Sequence, residues 1–241
     1  MSFKPSIKLT LVLFALALIF IRLGLWQTER KAEKQVLFET FENAPALRLD
    51  TALQRQELFA RVEAVGRYDS ERHILLDNRI HRGRAGVHVL TPFMLEEGGQ
   101  ILVNRGWLPL AADRRSLPVV ETDGRQRTIS GILNRFSSGG KRLGEADIVK
   151  PDEWPQLVTY LDLDNVGQAM QLQFEPWLLQ LDAGDDSGFE DRQWQAAVMA
   201  PEIHGGYAVQ WFSLASAAIV IWIILGVNRA RALQARTKAE E

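Results

Sequence analysis

The chain has 241 residues, a formal net charge of −2 and 46% hydrophobic residues. That is long enough for one domain with its own core, and it lacks the basic excess that nucleic-acid binding requires. The absence of cysteine excludes disulfides, thiol nucleophiles and thiolate metal sites, including copper transfer between cysteine pairs.

The apolar residues gather at the two ends. LTLVLFALALIFI (9–21) is uncharged and follows Lys4 and Lys8; as a helix it covers about 20 Å. That length fits either the apolar part of a secretory signal or the start of an anchor. The continuation RLGLWQTER (22–30) offers no small-x-small cleavage site. Arg22 can instead snorkel to the headgroups while Leu23, Leu25 and Trp26 extend the apolar surface. An uncleaved transmembrane helix is therefore expected over residues 9–26, after a short N-terminus at 1–8. A polar helix continues outward from Thr28 to about Asn43.

Short runs of strand character follow. In FARVEAVGRY (59–68) Ala60, Val62, Ala64 and Tyr68 share one face, and Arg61, Glu63 and Arg67 the other, the period-two pattern of a half-buried strand. Further candidates are 73–80, 86–95, 100–110, 126–136, 157–163 and 174–182, separated by turn signals such as RGRAG (82–86), EEGG (96–99) and AGDDSG (183–188). DNVGQAM (164–170) reads as a short helix with Asp162 or Asp164 as its N-cap. SSGGKRLGEAD (137–147) reads as a mobile loop. Strands at this spacing predict a mainly antiparallel sandwich or partly closed barrel between residues 27 and 206.

Residues 207–227, YAVQWFSLASAAIVIWIILGV, carry no charge and would span about 31 Å as a helix, the thickness of a bilayer core. A second transmembrane helix is expected there, with a basic tail at 228–241. Arg229, Arg231, Arg236 and Lys238 lie beyond it, while acids dominate before it. The positive-inside rule then places the C-terminus in the cytoplasm or a matrix equivalent. Two spans put the N-terminus on the same side and residues 27–206 outside. The fold class is thus membrane α+β, two transmembrane helices flanking a mainly antiparallel β domain.

Chemistry is sparse in the exported part. No phosphate loop, G-x-S-x-G elbow or H-E-x-x-H pair is present. His73 and His81, eight apart, are expected on one strand face, about 26 Å from each other. Only His81 and His88 can meet, across the RGRAG turn, and strand-pair histidines are the plainer reading. The acids of DAGDDSGFED (182–191) do not match a calcium loop and read as a solvated turn. Before the last span, APEIHGGYAVQWF (200–212) places His204 near Tyr207 and Trp211. An imidazole there can ligate a metal, carry a proton or anchor a helix at the interface. Two geometries are open. If His204 is helical, Tyr207, Ala208, Trp211 and Ala215 follow on its face; if Gly205 and Gly206 break the helix, His204 belongs to the domain.

Three blocks together carry a resemblance: GLWQTER (24–30), LVNRGWLPL (102–110) and P-x-x-H-x-x-Y-A-x-x-W-F from Pro201 to Phe212. In this order and frame the chain resembles the Surfeit-locus family of cytochrome c oxidase assembly factors, over nearly its whole length. The resemblance implies a non-enzymatic role in maturing the catalytic subunit of a haem-copper oxidase. Its partners would be that subunit, the haem a synthesis machinery and membrane lipid, with no nucleic acid. It also implies binding of haem a, with His204 as the candidate iron ligand. Tyr207, Trp211 and Trp26 are then candidates for the porphyrin faces. Arg22 and Arg30 could hold the propionates, against the plainer reading of lipid headgroup binding. NRGW (104–107) reads as a fold signature. The alternative class is a cofactor-free scaffold for the immature oxidase subunit; a membrane-anchored hydrolase lacks any nucleophile constellation.

Overall fold

An uninterrupted helix forms wherever apolar residues of high helix propensity run without proline, and each end of the chain supplies one. In the computed structural model, which describes residues 3–113, 116–136, 147–197 and 199–240, α1 covers Ile7–Glu42 and α4 Pro201–Glu240. Both are long and apolar enough to cross a membrane. The chain divides into two units, Met1–Glu39 with Ala196–Glu241, and Thr40–Gln195. Both helices therefore overrun the spans expected from sequence, and the β unit is shorter than residues 27–206.

In the first unit α1 and α4 run antiparallel. Trp222 packs edge-on against Phe3 with ring centroids 4.9 Å apart and donates from Nε1 to Thr10 Oγ1 at 3.0 Å. Further along, Phe20 stacks on Trp211 at 5.8 Å. The less exposed positions include 10, 13, 17, 20, 24 and 27 on α1, and 204, 208, 211, 215, 218 and 222 on α4. Steps of three and four in alternation are the heptad rhythm of a coiled coil. Ala17, Gly24, Ala208, Ala215 and Ala218 on this seam are small, which lets the backbones approach where lipid offers no hydrophobic drive. A Cβ at Gly24 would lie 2.7 Å from the Phe212 ring, so a side chain there would have to displace that ring.

The second unit is an eight-stranded sheet. Its strands are β1 (Ala46–Arg48), β2 (Arg61–Tyr68), β3 (Ile74–His81), β4 (Arg84–Leu95), β5 (Gln100–Pro109), β6 (Arg127–Arg135), β7 (Gln156–Val158) and β8 (Trp177–Leu181), with α2 (Leu49–Arg55) after β1 and α3 (Leu163–Met170) after β7. The order is β1-β2-β6-β8-β5-β4-β3-β7, and a further β2–β4 pairing closes β2, β6, β8, β5 and β4 into a ring. This is the partly closed barrel expected. Five pairings are antiparallel; β1–β2, β3–β7 and β5–β8 are parallel.

Val62, Ala64 and Tyr68 point into the barrel from β2, as their alternation predicts, and meet Phe93, Val103, Ile129, Leu133 and Leu179. Closure depends on Gly66, whose Cβ would sit 2.1 Å from the Met94 carbonyl oxygen. β4 and β5 are buried on both faces, because a second cluster, with Ile74, Leu90 and Leu102 against Val166 and Met170 of α3, covers their outer side. α3 begins where expected: the Asp162 carboxylate accepts from the backbone N–H groups of Asp164 and Asn165.

β1 and α2 had no sequence signal, being too short for a period to show. β7 and β8 are shorter than expected, since the chain leaves β7 to reach the Asp162 cap and Pro176 stands immediately before β8. A bulge between Leu76 and Arg79 shifts the register by one, so His81 falls in phase with Leu76 and not, as expected, with His73. Residues 137–146 of the expected mobile loop lie outside the described residues.

Candidate functional site

The seam of the helix pair is mostly apolar and changes character at the end where α4 begins. His204 and Gln27, each 9% exposed, face one another there, with His204 Nδ1 2.8 Å from Gln27 Oε1. A carbonyl oxygen only accepts, so Nδ1 is the donor of this bond, while Nε2 has no hydrogen-bond partner among the described residues. His204 lies within α4, which settles the geometry left open by the sequence. Proline at the first helical position is pre-set for helix entry, and the two glycines cost only about 1 kcal/mol each, too little to interrupt a helix of 40 residues.

Small residues flank His204 on α4. A Cβ at Gly206 would meet nothing within 4 Å, and Ala208 follows on the His204 face. The Lys31 stem runs along Gly205, its Nζ 3.5 Å from where a Cβ would stand. Among the described residues no acidic side chain pairs with Lys31.

Of the expected site residues, His204 and Trp211 share the seam, Trp211 half-buried on Phe20. Tyr207 is 46% exposed at the seam's flank. Trp26 is also 46% exposed, one residue from Gln27 and therefore turned about 100° away from α4. Arg22 is exposed on the same outer side of α1. Arg30 is half-exposed and ion-paired with Glu33. The structure thus does not gather Trp26, Arg22 and Arg30 around His204. It places Gln27 and Lys31 there instead. Extending the rhythm 10, 13, 17, 20, 24 along α1 leads to 27 and 31, the signal that would have found them.

The β unit holds a different polar cluster around NRGW. Arg105 is buried; its Nε and Nη2 donate to Ser187 O at 2.8 and 2.7 Å, and Nη1 to Thr122 Oγ1 at 2.6 Å. Its guanidinium lies 4.5 Å from the Tyr68 ring centroid and 4.7 Å from that of Phe189. Gly106 has φ +106°, and a Cβ there would stand 2.5 Å from Glu190 O, so only glycine lets segment 187–190 dock. Arg192 closes the same turn through the carbonyls of Asp182, Asp185 and Phe189. The expected solvated turn is therefore closed by Arg192 and pinned to the barrel by Arg105, and NRGW works as a structural latch.

His81 Nδ1 lies 3.1 Å from Asp191 Oδ2, and His88 Nδ1 accepts from Asn104 Nδ2 at 3.2 Å. Burial pushes His88 down to about 4, assisted by Arg79. His73 is lowered to about 4 by burial and by Arg105, and bonds Thr91 and the Ser70 carbonyl. Among the described residues no group of three or more His, Asp or Glu side chains is placed to hold a metal ion.

The SURF1 family model matches residues 14–216. The chain belongs to the SURF1 family. It is 28% identical to a SURF1-like protein of Rickettsia felis over 92% of this chain and 98% of that one. A SURF1-like protein of Monosiga brevicollis is 28% identical over 90% and 88% of the two chains, and one of Rickettsia prowazekii 24% identical over 90% and 89%. Membership of this SURF1 family implies a role in cytochrome c oxidase assembly, as a factor rather than a catalyst. Two terminal helices able to cross a membrane, flanking a β unit, are compatible with a two-pass membrane protein.

Proposed function

We propose that this protein binds haem a on its helix pair and assists its insertion into the catalytic subunit of a haem-copper oxidase. The observation that carries the reading is the buried imidazole of His204, whose Nδ1 is satisfied by Gln27 while Nε2 is left for a ligand. Neutral imidazole is a common axial ligand of haem iron. The donor set fits: one histidine, an aromatic at the seam and another at its flank, small residues beside them, and the ammonium of Lys31, which pairs with no acidic side chain among the described residues, for a propionate. When bound, the haem is cargo. The chain's own residues would bind and orient it, and the protein catalyses no step.

By the charge rule both termini lie in the cytoplasm of a bacterial cell and the β unit in the periplasm. His204, just before the second uncharged run, is then at the outer interface, where an apolar macrocycle with a charged edge is best accommodated. Purification from membranes of a haem-a-producing cell tests the reading. An a-type absorption spectrum accompanying the protein is expected. Co-purification of the oxidase catalytic subunit with no haem, and none taken up from added haem a, would instead make the protein a cofactor-free scaffold.

A further inference from the structure

We propose that Gln27 is a positioning residue for His204, holding its imidazole as the Nδ1–H tautomer so that Nε2 faces the iron; this rests on the haem-binding reading. A primary amide on an apolar helix seam is a poor packing choice, because burying it without a partner costs about 1–3 kcal/mol. An interhelical hydrogen bond can itself serve adhesion between membrane helices; this one also involves a particular nitrogen of the imidazole. Gln27 is nevertheless among the most buried positions of α1, and its Oε1 is spent on His204 Nδ1.

Neutral imidazole exchanges between two tautomers, and the one protonated at Nε2 cannot ligate through that atom. A carbonyl acceptor 2.8 Å from Nδ1 removes that choice. It also fixes the ring plane and makes the ligand nitrogen more basic, as the outer hydrogen-bond partners of metal-binding histidines do. The bond crosses from α1 to α4, so the ligand is presented only when the two helices are paired.

The test compares wild type, Gln27→Leu, Gln27→Glu and His204→Ala as full chains in detergent, each titrated with haem a. Gln27→Leu should weaken binding about 10–100-fold and lower the iron–histidine stretching frequency of the haem that remains. Gln27→Glu keeps an acceptor, so it should bind within about threefold of wild type and shift the haem reduction potential to a more negative value. A Gln27→Leu protein with wild-type affinity and frequency, beside a His204→Ala protein that has lost haem, would overturn the positioning role and leave the haem-binding reading intact. Haem retained by His204→Ala would overturn both. Equal loss in the two Gln27 variants would assign the glutamine to the fit of the seam and likewise reject the proposal.

Discussion

Arg105 gives the β unit its most demanding local test. Its side chain donates twice to the Ser187 carbonyl and once to Thr122, and it is sandwiched between Tyr68 and Phe189. In Arg105→Met the apolar stem is kept and the guanidinium removed, leaving a buried carbonyl without its donors, which costs about 1–3 kcal/mol. Loss of two ring faces adds about 0.5–1 kcal/mol each. Relief from burying a charge returns part of this, so the net loss is about 2–4 kcal/mol. With a urea slope of about 1–3 kcal/mol/M for a domain of this size, the unfolding midpoint should fall by roughly 1–2 M. Arg105→Lys should recover little of it, because an ammonium provides neither the fork nor the planar stack. The assay is urea unfolding of the full chain in detergent, followed by tryptophan fluorescence, which Trp107 and Trp194 near the latch report. A midpoint within 0.3 M (roughly the resolution of such an extrapolation) of wild type in both variants would refute the latch.

Other outcomes follow from the same geometry. Gly66→Ala forces β2 from β4 and should destabilise the barrel by about 2–3 kcal/mol, read as a lowered urea midpoint; an unchanged midpoint would mean that the ring does not close there. His73 and His88 are each lowered to about 4, so below their unfolded value near 6.5 the unfolded chain takes up protons that the folded one refuses. Their contribution is complete above about pH 6.5 and fades as the pH falls toward 4. Stability should drop across that window, and less in the His73→Gln, His88→Gln double variant; an equal drop in both would discount these histidines. A reporter active only in the periplasm should work when inserted after Gly139 and be silent after Glu241, and the reverse pattern would invert the topology.

Much of the fold was legible in the sequence because its signals are periodic. The charge-free runs gave the two long helices, the alternation around Val62 and Ala64 gave β2, and Asp162 marked the start of α3. What escaped has physical reasons. Three-residue β1 and the two turns of α2 are held by the β unit and are too short to declare themselves. β4 and β5 lose their alternation because both faces are covered. The bulge at Leu76–Arg79 reverses the face of His81 through one extra residue, which no hydrophobic pattern records. At the candidate site His204 was legible and its neighbours were not. Chemical type drew attention to Trp26, Arg22 and Arg30, whereas the seam selects by position and brings in Gln27 and Lys31. Arg105 and the acidic turn 182–191, distant in sequence, are joined only by barrel closure.

The central claim is that His204 ligates haem a on the helix pair, and haem per protein tests it directly. Wild type and His204→Ala are expressed equally in a haem-a-producing cell and purified side by side. His204 adds a single hydrogen bond to a long apolar seam, worth about 0.5–1.5 kcal/mol, so the variant should insert and accumulate normally. It should nevertheless carry little haem, and the oxidase of the same cells should lose haem occupancy. Equal haem per protein in the two would contradict the claim.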